Sequence, residues 1–245
     1  MFSSKSKGYS NAEYSFYRSC HLMIDSSSFI PFQHPIQVSK KETLQRASAF
    51  YETLNGRRTV RDYSTQSVDR AVIEKCLLAA STAPSGAHKQ PWHFAVVSDP
   101  KIKRQIREGA EKEEREFYAG KASEEWLDAL KPFGTNEEKP FLETAPYLIG
   151  IFSRNYDLLE DGSRSKNYYV SESVGIAAGM LIAALHQCGL STLTHTPSPM
   201  GFLNEVMDRP SHERAVILLV VGYPSEDAIV PVLKRKDLEE FSTFL

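Results

Sequence analysis

Apolar residues recur at helical spacing in some stretches of the chain and run unbroken in others. The spacing predicts a helix over Lys41–Asn55, where Leu44, Ala47, Phe50, Tyr51 and Leu54 share a face and Gly56 ends the run. A second helix is predicted over Val68–Ala80, with Val72, Ile73, Cys76, Leu77 and Ala80 inward and Ser64 or Ser67 as its cap. Asp99-Pro100 opens a third, highly charged helix over Lys101–Ala119, with proline at a favoured first position. Tyr168–Cys188 is apolar almost all round, which predicts a central core helix ended by Gly189. Its small residues would also let another helix approach closely, including one from a second subunit. Strands are predicted at Phe94–Ser98, at Ala145–Phe152, which reads as buried, and at Leu190–Thr194, and the continuous apolar run Ala215–Gly222 predicts a strand buried on both faces. Pro197–Val206 leads into a short helix, and Asn155–Lys166 reads as a polar loop.

Two regions lack a period. Residues 1–40 are Ser-rich and aromatic and read as a flexible or draped extension with a turn around Ser26-Ser27-Ser28. Residues 41–245 then form the main domain. Within it, Gly120–Pro140 is irregular, with Trp126, Leu127 and Leu130 as anchors. So long a mixed segment inside a domain is often a lid, here about residues 110–140. The tail from Pro224 ends in a weakly amphipathic segment. This alternation supports an α/β or α+β fold and no more.

Composition narrows the function classes. At 245 residues the chain can bury a large core, and 41% hydrophobic with 24% charged residues is ordinary for a soluble protein. A net charge of −2 gives no reason to expect nucleic-acid binding, and no apolar run reaches the length of a membrane span. Cys20, Cys76 and Cys188 are odd in number, far apart and without metal-ligand spacing. A reduced, cytoplasmic setting without structural zinc is expected. No basic segment followed by an apolar one opens the chain, so no secretory leader is expected. His88, His93 and His212 read as structural or surface residues.

Chemistry concentrates in a few places. The loop Ser81–Trp92 uses small residues with Pro84 and Pro91, and its bare N–H groups suit a flat or anionic ligand. Taken alone, it is equally an ordinary helix-to-strand connection. Arg57, Arg58 and Arg61 follow a helix stop and could bind a phosphate through paired N–H donors, or be a solvated basic turn. Glu114 and Tyr118 are four apart and share a helix face. With Lys139 they offer an anion, a phenol and a cation, the complement of an amino-acid zwitterion, although each alone reads as surface. Arg235 sits in the charge run Lys234-Arg235-Lys236. No G-x-G-x-x-G is present, which argues against a Rossmann site but not against a flavin.

Arg57-Arg58-Thr59-Val60-Arg61, followed by Ala83-Pro84-Ser85-Gly86 and Gln90-Pro91-Trp92, resembles the nitroreductase family of FMN enzymes. Thr82-Ala83-Pro84-Ser85-Gly86-Ala87-His88, together with Glu114, Tyr118, Trp126 and Lys139, resembles its iodotyrosine deiodinase branch. The resemblance runs from about Glu42 to Leu238. It implies an α/β (α+β) nitroreductase-like fold, a mixed sheet wrapped by helices in an interlocked homodimer. FMN would sit at the dimer interface between residues of both chains. It implies cofactor contacts from Arg57, Arg58, Thr59, Val60, Arg61 and Arg235, from Ser85 and Gly86, and from Thr194, His195 and Thr196. Thr196 would stand at flavin N5 and favour one-electron steps. The Ala87 N–H would hold a substrate phenolate. Glu114 would meet the substrate ammonium, Lys139 its carboxylate, and Tyr118 would bridge them. His195 departs from the threonine expected there, which leaves that contact and any acid role open.

The implied activity is FMN-dependent reductive deiodination of mono- and diiodotyrosine. NADPH would be the ultimate electron donor, through a separate reductase. A broad nitroreductase using hydride chemistry, or a halotyrosine- or flavin-binding protein without turnover, are the alternatives. Animal deiodinases carry a membrane anchor that this sequence does not show, so a soluble relative is expected.

Overall fold

The computed structural model describes residues 30–32 and 36–245. The expected extension over 1–40 lies largely outside them, as do the turn at Ser26-Ser27-Ser28 and Cys20. The elements are α1 (Lys40–Asn55), α2 (Arg70–Ser81), β1 (Trp92–Val97), α3 (Pro100–Glu116), α4 (Glu124–Leu130) and α5 (Phe141–Thr144). They continue with β2 (Tyr147–Arg154), β3 (Tyr156–Leu158), β4 (Arg164–Lys166), α6 (Val170–Gln187), β5 (Ser191–His195), α7 (Phe202–Val206), β6 (Glu213–Gly222) and α8 (Leu238–Phe241).

The central sheet has the order β1-β2-β6-β5, and each neighbouring pair is antiparallel. Its inner strands are buried on both faces, which explains their unbroken apolar runs. Ile149 and Ile151 of β2 and Leu219 and Val221 of β6 face α2 and α6, against Ile73, Ala80, Val174, Leu181 and Leu185. The alternate residues Leu148, Phe152, Leu218 and Val220 face Ile106 and Ala110 of α3, Leu142 of α5 and Leu203 of α7. This is the two-residue period of a strand dividing its side chains between two layers. The register between β2 and β6 shifts at Ile151/Phe152, so Ala215 joins the same layer as Leu218 although their numbers differ in parity. Each fully buried Leu, Ile or Phe contributes about 1.5–3 kcal/mol relative to exposure.

Several elements differ from expectation. α6 is not surrounded by core. Val174, Ala177, Ala178, Leu181 and Leu185 are buried, while Gly175, Ile176 and Gly179 are exposed. An added Cβ at Gly175 or Gly179 would meet no atom within 4 Å. The apolar run was therefore a core face plus a flat, small-residue face. α1 forms as predicted, but none of its residues is buried.

The segment Asn155–Lys166 is not a plain loop. β3 and β4 pair in it, closed by Asp161-Gly162 with Gly162 at φ 80°. The third helix ends as an α-helix at Glu116 and widens into a π turn over Phe117–Lys121. The lid segment carries α4, capped by Ser123, and a 3-10 turn over Lys131–Phe133. α2 is capped by Asp69, whose carboxylate accepts from the Ala71 N–H at 2.8 Å, rather than by Ser64 or Ser67. Among the described residues no helix is long and apolar enough to cross a membrane.

Candidate active site

The arginine segment is set in place by β5. Thr59 forms a parallel bridge to Thr192, and the Val60 N–H donates to the Thr192 carbonyl at 3.4 Å. Further on, the Ser64 N–H donates to the Tyr223 carbonyl at 2.9 Å. Residues 57–64 thus run beside the sheet edge and carry the arginines to Thr194. The tail closes the other side. Arg58 donates to the Pro231 carbonyl. Arg235 donates through Nη1 to Asn55 Oδ1 at 2.8 Å and through Nη2 to the Arg57 carbonyl at 2.9 Å. Between them lies a cleft of about 400 Å³ lined by Arg57, Arg58, Thr59, Arg61, Thr194, Arg235 and the apolar Phe133 and Leu193.

Among the described residues no carboxylate pairs with Arg57, Arg58, Arg61 or Arg235, whereas Lys234 is paired with Asp237 at 2.9 Å. Clustered guanidinium groups without counter-ions, oriented by backbone carbonyls, fit a phosphate dianion. The cleft volume falls in the range of cofactor sites. Val60 does not line the cleft. Its side chain is buried, and its N–H is spent on Thr192.

The Ser81–Trp92 loop is held in a strained form. Ala87, His88 and Gln90 take left-handed φ values of 49°, 55° and 47°, uncommon for residues with a Cβ. Ser85 Oγ accepts from the Gln90 N–H at 2.9 Å. A Cβ on Gly86 would lie 2.7 Å from the Tyr168 carbonyl oxygen. Arg154 of β2 donates its N–H to Pro91 at 3.0 Å and its guanidinium to the Gln90 and Trp92 carbonyls at 3.4 Å. Lys89 Nζ donates to Ser165 of β4 at 2.8 Å. Sequence reasoning missed Arg154 and the hairpin. The Asp-Gly pair between apolar and β-branched-poor runs was their one signal.

Ser85, Gly86 and Ala87 do not line the arginine cleft. Nor does Thr196. It is exposed and lines a separate cavity of about 700 Å³ with Val174, Gly175, Asn204 and Arg214. Within one chain, then, the residues expected to contact the cofactor fall into separate groups.

The lid residues do come together. Lys139 Nζ stands 3.2 Å from Glu114 Oε2, with the lysine side chain 3% and the glutamate 16% exposed. The ammonium also donates to Thr135 Oγ1 at 3.5 Å and to the Asn136 carbonyl, and lies 5.8 Å from the Tyr118 ring centroid. The Lys139 N–H donates to Glu111 Oε1 at 2.9 Å, and Arg107 holds the other Glu111 oxygen at 2.8 Å. Burial raises the pKa of Tyr118, against a lowering hydrogen bond with Thr135. Phe117 packs edge-on to Tyr118 and Trp126, with centroids 5.3 and 4.9 Å apart. Thr135, Asn136, Glu111 and Arg107 were not legible as site residues, because polar residues in charged segments carry no distinguishing period.

His195 joins the two regions. Strand alternation turns Thr194 out and His195 in. His195 is 7% exposed, its Nε2 has no hydrogen-bond partner among the described residues, and the Phe141 ring meets it edge-on at 6.0 Å. Burial first, then the charges of Lys139 and Arg61, push its pKa down to about 3. It is therefore neutral at physiological pH and holds no proton to give as an imidazolium acid.

A family profile described as Nitroreductase family matches residues 54–223. The iodotyrosine deiodinase of Haliscomenobacter hydrossis is 55% identical over 215 residues, covering 88% of this chain and 96% of that one. Iodotyrosine deiodinase 1 of Mus musculus is 46% identical over 217 residues, covering 88% of this chain and 76% of that one. A crystal structure of oxidized iodotyrosine deiodinase bound to FMN and 3-iodo-L-tyrosine superposes with a TM-score of 0.68 at 32% identity, covering 80% of this chain and 100% of that one. The chain belongs to the nitroreductase family, an assignment that the mixed fold and the arginine cleft match, and within that family to its iodotyrosine deiodinase branch.

Proposed function

We propose that this protein is an FMN-dependent reductive dehalogenase of iodotyrosines. Arg57, Arg58, Arg61 and Arg235 would hold the cofactor phosphate, with Thr59 and Thr194 on the cleft wall. When bound, FMN supplies reducing electrons, delivered one at a time. Reduction replaces a carbon–iodine bond by carbon–hydrogen, consuming two electrons and a proton and releasing iodide. NADPH through a separate reductase is the proposed source of those electrons.

The observation that carries the substrate is the gathering of Glu114, Tyr118 and Lys139 within the lid segment. Without ligand the carboxylate and ammonium neutralise each other. A zwitterionic amino acid brings one charge for each and can take the place of that pairing. Ala87 would hold the phenolate through its N–H, in a loop whose left-handed backbone is fixed beforehand by Ser85, Arg154 and Lys89.

The separation of Ser85–Ala87 and Thr196 from the arginine cleft supports a homodimer in which each site draws on both chains. The open small-residue face of α6 supports the same reading. The lid would then close over a site built by two subunits.

The test is anaerobic iodide release from diiodotyrosine, using dithionite as reductant and the purified protein supplied with FMN. Stoichiometric iodide and tyrosine are expected. Reduction of nitroaromatics without iodide release would instead define a general nitroreductase. Tight halotyrosine binding without turnover would define a binding protein.

A further inference from the structure

The sequence places Cys76 and Cys188 far apart, and the fold brings them together. They are 112 residues apart in the chain, yet their sulfurs stand 3.9 Å from each other. Cys76 lies mid-way along α2 on its buried face, 2% exposed. Cys188 caps the C-terminus of α6, its N–H donating to the Ala184 and Leu185 carbonyls at 3.2 and 3.1 Å. Counting back three and seven residues from Cys188 reaches Leu185 and Leu181, both fully buried. Cys188 therefore continues the stripe of α6 that packs on α2, and it is exposed because the helix ends there.

We propose that Cys76 and Cys188 form a reversible dithiol–disulfide pair, a redox modification site that cross-links α2 to the end of α6. The inference is independent of the proposed substrate. The roles of the two thiols follow from their places. Only Cys188 is open to a dissolved oxidant, and Cys76 has no route to one except through Cys188. Hydrogen peroxide would oxidise Cys188 to the sulfenic acid, its O–O bond taking the two electrons, one oxygen passing to sulfur and the other leaving as water. The Cys76 sulfur would then attack the Cys188 sulfur. The S–S bond forms, the S–OH bond breaks, and the Cys76 proton leaves with the hydroxide as a second water. Closing the sulfurs from 3.9 Å to a bond length of about 2 Å needs rotation of the two side chains. The Cys76 pKa, pushed up to about 12 by burial and by Cys188, keeps it a thiol in the resting protein. Cys76 is therefore not the thiol that a peroxide oxidises first.

The location gives the bond a consequence. α2 runs into the Ser81–Trp92 loop, and α6 runs through Gly189 into β5 and Thr194. The cross-link fixes the spacing of the helices that deliver two parts of the candidate site. It also closes a long loop, which restricts the unfolded chain.

The experiment treats the full chain, as isolated and with Cys20→Ser to remove the third thiol, with excess hydrogen peroxide. Free thiols are then alkylated in denaturant and the peptides mapped by mass. A peptide linking Cys76 to Cys188, lighter by two hydrogens and released by dithiothreitol, is expected. The thermal midpoint should rise by several degrees over identically treated Cys188→Ser protein. Cys188 ending as sulfinic acid, or both thiols remaining alkylatable, would overturn the proposal. So would a cross-link that lowers the midpoint, because the native geometry would then not accommodate the bond.

Discussion

Glu114 and Lys139 are each other's counter-ion at 3.2 Å, and a bound zwitterion would have to satisfy both. Glu114→Gln keeps the shape and removes the charge. Losing a charge-assisted hydrogen bond in a closed site costs about 1.5–3 kcal/mol, so halotyrosine affinity should fall about tenfold to more than a hundredfold. Flavin-fluorescence titration measures it. A halophenol lacking the amino-acid part should bind poorly and respond little to the substitution, and unchanged iodotyrosine affinity would remove the case for this substrate. His195 makes a prediction about stability. Its pKa is depressed to about 3 in the folded chain, against about 6.5 when unfolded. The neutral form is the folded form, so its contribution is present above the unfolded pKa and is lost as pH falls toward the folded one. Between pH 7 and pH 5 the protein should lose about 1–2 kcal/mol that His195→Thr retains. Urea unfolding at the two pH values reads the difference, and equal losses would show that the imidazole is not held neutral.

At the scale of elements, the strained loop lies hard against the backbone of a neighbouring segment. A Cβ at Gly86 would meet the Tyr168 carbonyl oxygen at 2.7 Å and Tyr169 Cδ2 at 2.9 Å. The first of these is backbone and cannot swing aside. Gly86→Ala should therefore cost about 1–3 kcal/mol in urea unfolding and displace the Ala87 N–H, weakening ligand binding as well. A neutral result would show that Tyr168 yields. Gly86 was singled out only by resemblance, and the steric reason for a glycine there was not in the sequence at all. It comes from a residue more than eighty positions away. The inner strands β2 and β6 were legible because burial on both faces leaves long apolar runs. The β3–β4 hairpin was not, since its few polar residues look like a loop until Asp161-Gly162 is read as a turn. The lid was seen as irregular for a sound reason. Its α-helix gives way to a π turn, a short helix and a 3-10 turn, each too brief to show a period. The triad spacing was legible, but its internal ion pair was not, because sequence does not say whether two opposite charges meet each other or a ligand.

For the whole molecule, the open face of α6 separates folding from assembly. A Cβ added at Gly179 would meet nothing within 4 Å among the described residues. Gly179→Leu should leave the subunit folded, and a helix interior gains about 0.8–1 kcal/mol when glycine is replaced by a good helix former. If α6 meets a second subunit, the same leucine should block the approach. Sedimentation at micromolar concentration should then show monomer and loss of bound FMN, whereas an intact dimer would place the interface elsewhere. The helix read as wholly core because apolar residues on an exposed face and on a core face are chemically alike. The tail contacts have a consequence for handling the protein. Arg58 grips the Pro231 carbonyl, and Arg235 grips Asn55 and Arg57, with the same guanidinium groups that face the cleft. Any anion seated there shares its ligands with the chain terminus, and thermodynamic reciprocity makes the effect mutual. An anion that orders the tail is itself released more easily when the docking of Pro231 and Arg235 is loosened, so whatever tugs on the tail from outside tugs on the anion too.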